Sequence, residues 1–481
     1  MTRASALVPA LALSALLSGC VVGPNYSRPA TPALASGAFI DRGASTAAAV
    51  APLPDHWWRL YDDPALDRLV TEALAHNTDI RVAAASLARA RAVLSEQRGA
   101  RLPSTTPNAQ YTRSRTNATR SGTGSAVVGD YFQLGFDASY EVDLFGGVTR
   151  AIEAARGDAD AAQAQLDAAR VSVAAETARA YVGACSNAAQ KAVALDTVAL
   201  QGKTLGLTKT LFDAGRGTLR DVQRADVLLA QTQAQIPTFE AERRASLYAL
   251  AVLTGQPPEQ VDPAADACVA PPTLKAVLPV GDGAALLARR PDVRAAERTL
   301  AANTARVGVA TADLFPSIKL LGSIGFGGTK AGDVFKAPGF SYSVGPLISW
   351  NFPNMTVARA RVREARADAD AQLARFDGTV LGALRETEQA LARYAGALDR
   401  DAALARAEQS SDAAARLSRL RFDYGADSFL LLISAERDRA DARAARAAAD
   451  AAVADAQISL FKALGGGWED APAPTRAAVN P

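Results

Sequence analysis

Histidine, methionine and cysteine are nearly missing from this chain, at 2, 2 and 3 residues among 481. The two histidines, His56 and His76, have no cysteine or second histidine beside them. A histidine-based metal centre or a Ser/His/Asp set therefore has no material, and both are expected to be exposed and non-ligating. The glycine-rich run 322–330 lacks the Gly-Lys-Ser/Thr ending of a phosphate loop. No catalytic constellation, metal or cofactor is expected, and the chain does not read as an enzyme. Aromatics are scarce at 6% although 49% of residues are hydrophobic. Much of that apolar content is alanine, which suits long, closely packed helices better than a bulky core. Charge of one sign is not in excess, with 52 Lys+Arg against 50 Asp+Glu. That balance lacks the footprint of a nucleic-acid binder and suits solvated helix faces. Beyond the N-terminus no uninterrupted apolar run is long enough for a membrane helix, so a bilayer could be crossed only as a closed barrel.

The N-terminus carries the strongest local signal. Arg3 is followed by an apolar stretch, residues 6–17, too short to span a bilayer. Then comes Leu17-Ser18-Gly19-Cys20, which resembles a bacterial lipobox. Residues 1–19 are read as a lipoprotein signal peptide, with cleavage before Cys20 and a lipid on its thiol. Val21 fits sorting to the outer membrane, where an aspartate would suggest retention. Residues 20–64 are read as a lipidated tether and equatorial segment. From 21 to about 55 they are rich in Pro, Ala, Ser and Gly without period, as expected of an extended tether. Trp57 and Trp58 are expected to be packing aromatics.

The remainder is duplicated. Asn77-Thr78-Asp79-Ile80-Arg81 answers Arg290-Pro291-Asp292-Val293-Arg294, and Leu102-Pro103-Ser104 answers Phe315-Pro316-Ser317 at the same offset of 213 residues. Further on, Asp158-Ala159-Asp160 answers Asp368-Ala369-Asp370, and Phe212-Asp213-Ala214-Gly215 answers Phe422-Asp423-Tyr424-Gly425, both at an offset of 210. Residues 65–265 form a first repeat, 266–289 a linker, 290–467 a second repeat, and 468–481 a disordered tail. Each repeat reads helix, two strands, long helix, sharp turn, helix. Residues 149–211 and 356–420 are long runs of Ala, Arg, Asp, Glu, Gln and Leu with few prolines or bulky clusters. At about 1.5 Å per residue each makes a rod of roughly 90 Å, which needs neighbours alongside as in a coiled coil.

The strands make the membrane argument. In residues 132–144, Phe132, Leu134, Phe136, Ala138, Tyr140, Val142 and Leu144 alternate with polar or acidic residues and glycine. Residues 340–352 alternate similarly, and Tyr140, Trp350 and Phe352 suit an aromatic girdle. Lipid-outside, water-inside strands require this pattern. Their partners, near 110–115 and 318–326, alternate less cleanly. The Gly-Ser-Thr stretches 119–129 and 327–339 read as outward loops. Four strands cannot close a barrel without exposing edges in lipid, and a trimer would supply twelve, an even number within the known range. The residues thus point to an α+β membrane protein with four barrel strands per chain and long coiled-coil helices.

The chain resembles the TolC-like outer-membrane efflux family in its lipoprotein branch. The resemblance rests on Cys20 with Gly23-Pro24-Asn25-Tyr26-Ser27-Arg28-Pro29, on Trp57-Trp58 leading to Asp63-Pro64-Ala65-Leu66, and on Tyr140-Glu141-Val142-Asp143-Leu144-Phe145. Residues 289–297 and 314–318 add to it. It implies a homotrimeric transmembrane β-barrel continued by a periplasmic helical coiled-coil tunnel, whose passive duct carries small toxic compounds or drugs. It also implies a periplasmic adaptor (membrane fusion protein), an inner-membrane pump of the resistance-nodulation-division type, outer-membrane lipid around the barrel, and no nucleic acid. Alternatives are a duct for type I protein secretion and, from another class, a periplasmic adaptor or scaffold.

Two sets of site residues follow. The periplasmic tips, expected as gate and adaptor-docking surface, hold Gly215, Arg216, Arg220 and Asp221 on one hairpin and Phe422, Tyr424, Gly425 and Asp427 on the other. In the family, acidic residues beyond the second tip line the constriction, and here those positions are Leu431 and Ser434. An ion pair between Asp427 and Arg216 or Arg220 is expected to hold the closed state. Cys185 and Cys268 are expected to pair. The chain reverses near Arg216, so both lie at similar heights, and an export compartment is oxidising.

Overall fold

A computed structural model describes residues 21–30, 37–40, 48–49, 53–117, 126–274, 278–333 and 336–473. Cys20 and the expected signal peptide lie outside the described residues. The chain gathers into two compact units that are not the two sequence repeats, because each takes equivalent segments from both. Unit one comprises Met1–Pro29, Leu87–Ala162 and Ala295–Asp377, and unit two comprises Ala30–Ser86, Gln163–Arg294 and Gly378–Pro481.

Four strands, β1 (Ser104–Thr116), β2 (Val127–Val142), β3 (Ser317–Gly328) and β4 (Phe340–Ser349), make an antiparallel sheet in unit one, in the order β1-β2-β3-β4. Register sorts the side chains. Phe136 opposes Pro107 and Ile324, and Ile324 opposes Tyr342. Their neighbours on that face include Leu134, Tyr140, Leu320 and Val344, all exposed in the single chain. The other face is polar: Asn108 donates to Asp137 at 2.6 Å, Ser323 meets Ser343 at 2.8 Å, and Lys319 lies 3.8 Å from Glu141. The weaker alternation of β3 has a steric cause. A Cβ on Gly325 would sit 3.0 Å from the Leu134 carbonyl oxygen, and one on Gly327 would meet the Tyr131 hydroxyl.

The longer helices, in chain order, are α1 (Pro64–His76), α2 (Thr78–Gly99), α3 (Gly147–Asp213), α4 (Leu219–Gln233), α5 (Ile236–Leu253), α6 (Pro291–Ala312), α7 (Thr356–Asp423) and α8 (Phe429–Leu464). Their starts are capped as the sequence dictates. Asp63 accepts from the Ala65 and Leu66 amides ahead of α1, with Pro64 at the first position, and Asp143 accepts from the Val148 and Thr149 amides at 2.9 and 2.8 Å. Such caps satisfy amides that have no partner within the helix. The long rods, α3 with 67 residues and α7 with 68, match the expected helices. The first return arm is interrupted at Ala234–Gln235, just before Pro237, and resumes as α5. Alanine and glycine let helices approach closely: a Cβ on Gly157 of α3 would lie 2.9 Å from the Ala302 Cβ of α6.

In unit two, Trp57 and Trp58 are fully buried, as packing residues should be. Trp57 stacks on Phe461 at 4.5 Å, and the Trp58 indole N–H donates to Asp67 at 2.8 Å. His76 is exposed, whereas His56 is half-buried edge-on to Trp58.

Two expectations fail here. The segment after Cys20 is not a free tether throughout. Arg150, buried in α3, donates to the carbonyl oxygens of Val22 and Gly23 and to Asn25 Oδ1, and the Val22 amide donates to the Phe145 carbonyl. Tyr26 and Arg28 both reach Glu297 at 3.3 Å. Gly23 adopts φ +88°, and its Cβ position lies 2.5 Å from the Gly308 Cα, so only glycine fits. The tail expected to be disordered from residue 468 is ordered at its start. Asp55 accepts from the amides of Trp468, Glu469 and Asp470, and Arg294 lies 4.8 Å over the Trp468 ring.

Candidate functional site

The two hairpin tips share one construction in unit two. At the first, α3 ends at Asp213, Gly215 takes φ +69°, and the Arg216 amide returns to the Leu211 carbonyl at 2.8 Å. Thr218 and Asp221 then cap α4 reciprocally. At the second, α7 ends at Asp423, Gly425 takes φ +75°, and the Ala426 amide returns to the Arg421 carbonyl at 2.8 Å. Ser428 caps α8. Both glycines occupy a left-handed conformation that ends a helix without strain.

The expected ion pair is not the one formed. Asp427 binds Arg421 of its own hairpin at 2.9 Å, and its side chain is only 11% exposed. Asp427 lies four residues after Asp423, where the turn brings it back over the last turn of α7. Arg421 therefore reaches it locally, with less entropy lost than a pair across hairpins would require. Asp221 is likewise occupied by Thr218, whose hydroxyl donates to it at 2.6 Å. Arg216 and Arg220 remain exposed, as does Tyr424 at 82%. Phe422 is half-exposed and lies 6.1 Å from Phe429, edge to face. Phe429 itself packs with Leu229 and Ile433 on buried Leu205, Val222 and Ala225, joining the hairpins through apolar contact.

A polar link between the hairpins lies deeper and was missed from sequence. Arg419 of α7 donates to Thr204 Oγ1 of α3 at 2.5 Å and to Glu436 of α8 at 3.0 Å, while Arg439 donates to Glu436 at 2.7 Å. Glu436 is 4% exposed. A signal existed: Glu436 follows buried Leu432 by one helical turn, so it had to face inward and need positive partners. Below it, Arg443 holds Asp412 through two bonds of 2.9 Å and keeps that carboxyl below the usual aspartate range. Arg446 contacts Asp401 and Asp450. Burial pushes the Asp450 carboxyl up, and the Asp401 charge adds to this against Arg446.

Higher in unit two, the structure brings Cys185 and Cys268 together in a disulfide with Cα atoms 5.1 Å apart, although 83 residues separate them in sequence. The motif at 289–294 clasps the end of α8: Arg290 donates to the Ala463 carbonyl and pairs with Asp292 and Glu386, and Arg289 donates to the Leu464 carbonyl.

Unit one presents the other functional element. Its sheet is apolar on one face and polar on the other, and among the described residues each outer strand has one neighbour only. No helix among the described residues is long and apolar enough to cross a membrane. The description "Outer membrane efflux protein" matches residues 69–256 and 284–466. The chain belongs to that family. It is 31% identical over 471 residues to outer membrane protein OprJ of Pseudomonas aeruginosa, covering 96% of each protein. It is also 31% identical to nodulation protein T of Rhizobium leguminosarum bv. trifolii, covering 95% of this chain and 96% of the relative. The solved outer-membrane channel OprN superposes with a TM-score of 0.89 at 38% identity, over 93% of this chain and all of that one. The open state of the Neisseria gonorrhoeae MtrE channel gives 0.83 at 28% identity, over 93% and 99%. The family member described here thus has the TolC-like fold, in which four strands from each of three chains close one barrel that helices continue as a tunnel. It is an outer-membrane efflux protein, and its family is one of channels.

Proposed function

We propose that three copies form the passive exit duct of a tripartite pump, anchored by lipid at Cys20 and docked through the hairpin tips to a periplasmic adaptor. The carrying observation is the four-stranded sheet, with one apolar face, one polar face and both edges unpaired among the described residues. Unpaired strand edges are not tolerated in lipid, so closure must come from further copies. Selectivity then falls to pore width and lining charge, and energy to the partner pump. The two tips, Gly215 with Arg216 and Arg220 at one and Gly425 with Tyr424 at the other, offer exposed side chains on tight turns that suit docking, beside half-exposed Phe422 and the more buried Asp427. A pump of the resistance-nodulation-division type and drug-like or solvent-like cargo are the partners and substrates this reading favours.

The test is made in cells. A photo-crosslinker at Tyr424 should capture an adaptor, and a strain lacking the chain should retain a hydrophobic dye that the wild type expels. Unheated outer membranes should give a trimer band that collapses on boiling. Unchanged dye retention in the deletion strain, together with secretion failure of a single large protein, would move the assignment to a protein-secretion duct.

A further inference from the structure

At the end of the sheet that joins the helices, unit one contains a cavity of about 360 Å³ lined by Arg98, Arg101, Thr149, Ile152, Glu153 and Arg156. Three guanidiniums and one carboxylate share it, and the carboxylate is already taken: Glu153 pairs with Arg150 at 2.7 Å. Arg101 touches Thr149 Oγ1 at 3.4 Å, and neither it nor Arg98 nor Arg156 has an acidic partner in the chain among the described residues. All three arginines are exposed. Three guanidiniums without an acidic partner thus face one concavity, whereas Arg290, Arg419, Arg443 and Arg446 are each paired.

The position narrows the ligand. Arg101 lies three residues before β1, and Thr149 stands in the first turn of α3 after β2 has ended at Val142. That end of the sheet also carries Trp350 and Phe352, stacked at 4.7 Å, with the Trp350 indole N–H donating to the Leu314 carbonyl at 3.1 Å. Amphipathic aromatics of this kind sit at membrane–water boundaries. Thr149, Glu153 and Arg156 share one face of α3 at helical spacing. Glu153 links that face to Arg150, which holds residues 22–25. The cavity thus adjoins the surface on which the N-terminal segment lies.

We propose that this cavity binds the phosphate of an anionic phospholipid headgroup from the leaflet adjoining the helical end of the barrel. Guanidinium groups present planar forks that match phosphate oxygens, and several around one phosphate bind it with directional, charge-assisted bonds. Basic pockets at this depth recognise acidic headgroups rather than zwitterionic ones. Free inorganic phosphate shares the chemistry but lacks the acyl chains that hold a lipid in place.

The proposal rests on outer-membrane placement and not on which pump is served, so its test leaves transport aside. Full-length trimer in mild detergent is equilibrated with phosphatidylglycerol and phosphatidylcholine together, and bound lipid is counted by native mass spectrometry. The wild type should prefer phosphatidylglycerol by about tenfold. The triple variant Arg98→Gln/Arg101→Gln/Arg156→Gln should lose that preference, and Arg437→Gln in unit two should keep it. Equal retention of both lipids by the wild type overturns the proposal without any variant being needed. So does an undiminished preference in a triple variant that still migrates as a trimer. Displacement of the lipid by millimolar inorganic phosphate would assign the cavity to free phosphate and overturn the lipid assignment.

Discussion

Arg419 and Glu436 meet at 3.0 Å between the arms of the second hairpin, and the same guanidinium reaches Thr204 of the first hairpin at 2.5 Å. One side chain therefore joins three helices next to a glutamate that is 4% exposed. Replacing Arg419 with alanine removes the bond to Thr204 and leaves Glu436 with Arg439 alone. A charge-assisted bond of this kind contributes about 1.5–3 kcal/mol, and three copies would bias any two-state opening. Arg419→Ala should raise single-channel conductance in planar bilayers, and Arg419→Lys should raise it less. Wild-type conductance in both variants would show that the hairpins are held by the Phe429 cluster instead.

The tip charges should matter little. Asp427 is held by Arg421 of its own hairpin, and a local pair whose guanidinium is exposed contributes at most about 1 kcal/mol. Arg216→Gln and Arg220→Gln should leave conductance unchanged, while Asp427→Asn should speed hydrogen exchange only at residues of its own turn. A rise in conductance in Arg220→Gln comparable to that of Arg419→Ala would restore the pair across the two tips.

Legibility followed physics that is local. The strand faces, the helical rods and the two tight turns were readable because period, proline and glycine act over a few residues. Arg419 with Thr204 was not, since a contact between residues 215 apart depends on how three helices pack. The docked N-terminal segment was misread for a related reason. Gly23, Asn25 and Tyr26 look like linker composition, and their partners Gly308, Arg150 and Glu297 lie far along the chain. Burial at Glu436 was inferable from its spacing to Leu432, whereas its partners were not.

The Cys185–Cys268 bond closes a loop of 83 residues. In the chain-entropy model a loop of that length adds about 4.5 kcal/mol by restricting the unfolded chain. Cys268→Ser should lower the melting temperature of the non-reduced protein by several degrees and make its melting insensitive to reductant. If both thiols of the native protein prove alkylatable without reductant, the bond is not formed in the exported chain.

Acid should loosen the second hairpin through Asp412. Arg443 holds the Asp412 carboxyl below its usual value, so the folded pKa is lower than the unfolded one, about 3.9. Its stabilisation is complete above that unfolded value and fades as pH falls through the folded one. Asp450 runs opposite: burial raises its carboxyl, so its ionisation weakens the fold as pH rises through the unfolded value toward the folded one. Asp412→Asn should therefore melt earlier than wild type at neutral pH, with the difference shrinking below about pH 4. A difference that grows on acidification would contradict the assignment.

Arg150 should decide whether residues 22–25 are held against unit one. Its side chain is 4% exposed and donates to Val22, Gly23 and Asn25 while pairing with Glu153. A second clasp follows at Glu297, which accepts from Tyr26 and pairs with Arg28. The Tyr26 hydroxyl is pushed up to about 12, first by burial and then by the Glu297 charge, so it remains a donor throughout the physiological range. Arg150→Ala removes three bonds, each contributing about 1.5–3 kcal/mol when charge-assisted, and leaves the Val22 and Gly23 carbonyls without the guanidinium. The local opening that limits cleavage by an added protease should become at least tenfold more frequent. Glu297→Gln should have a smaller effect, because the first clasp persists. Limited proteolysis followed by mass spectrometry of the N-terminal fragment measures both. Equal cleavage of wild type and Arg150→Ala within residues 21–29 would mean that the segment is held by the fit of Gly23 against Gly308, and Gly23→Ala would then be the variant that releases it.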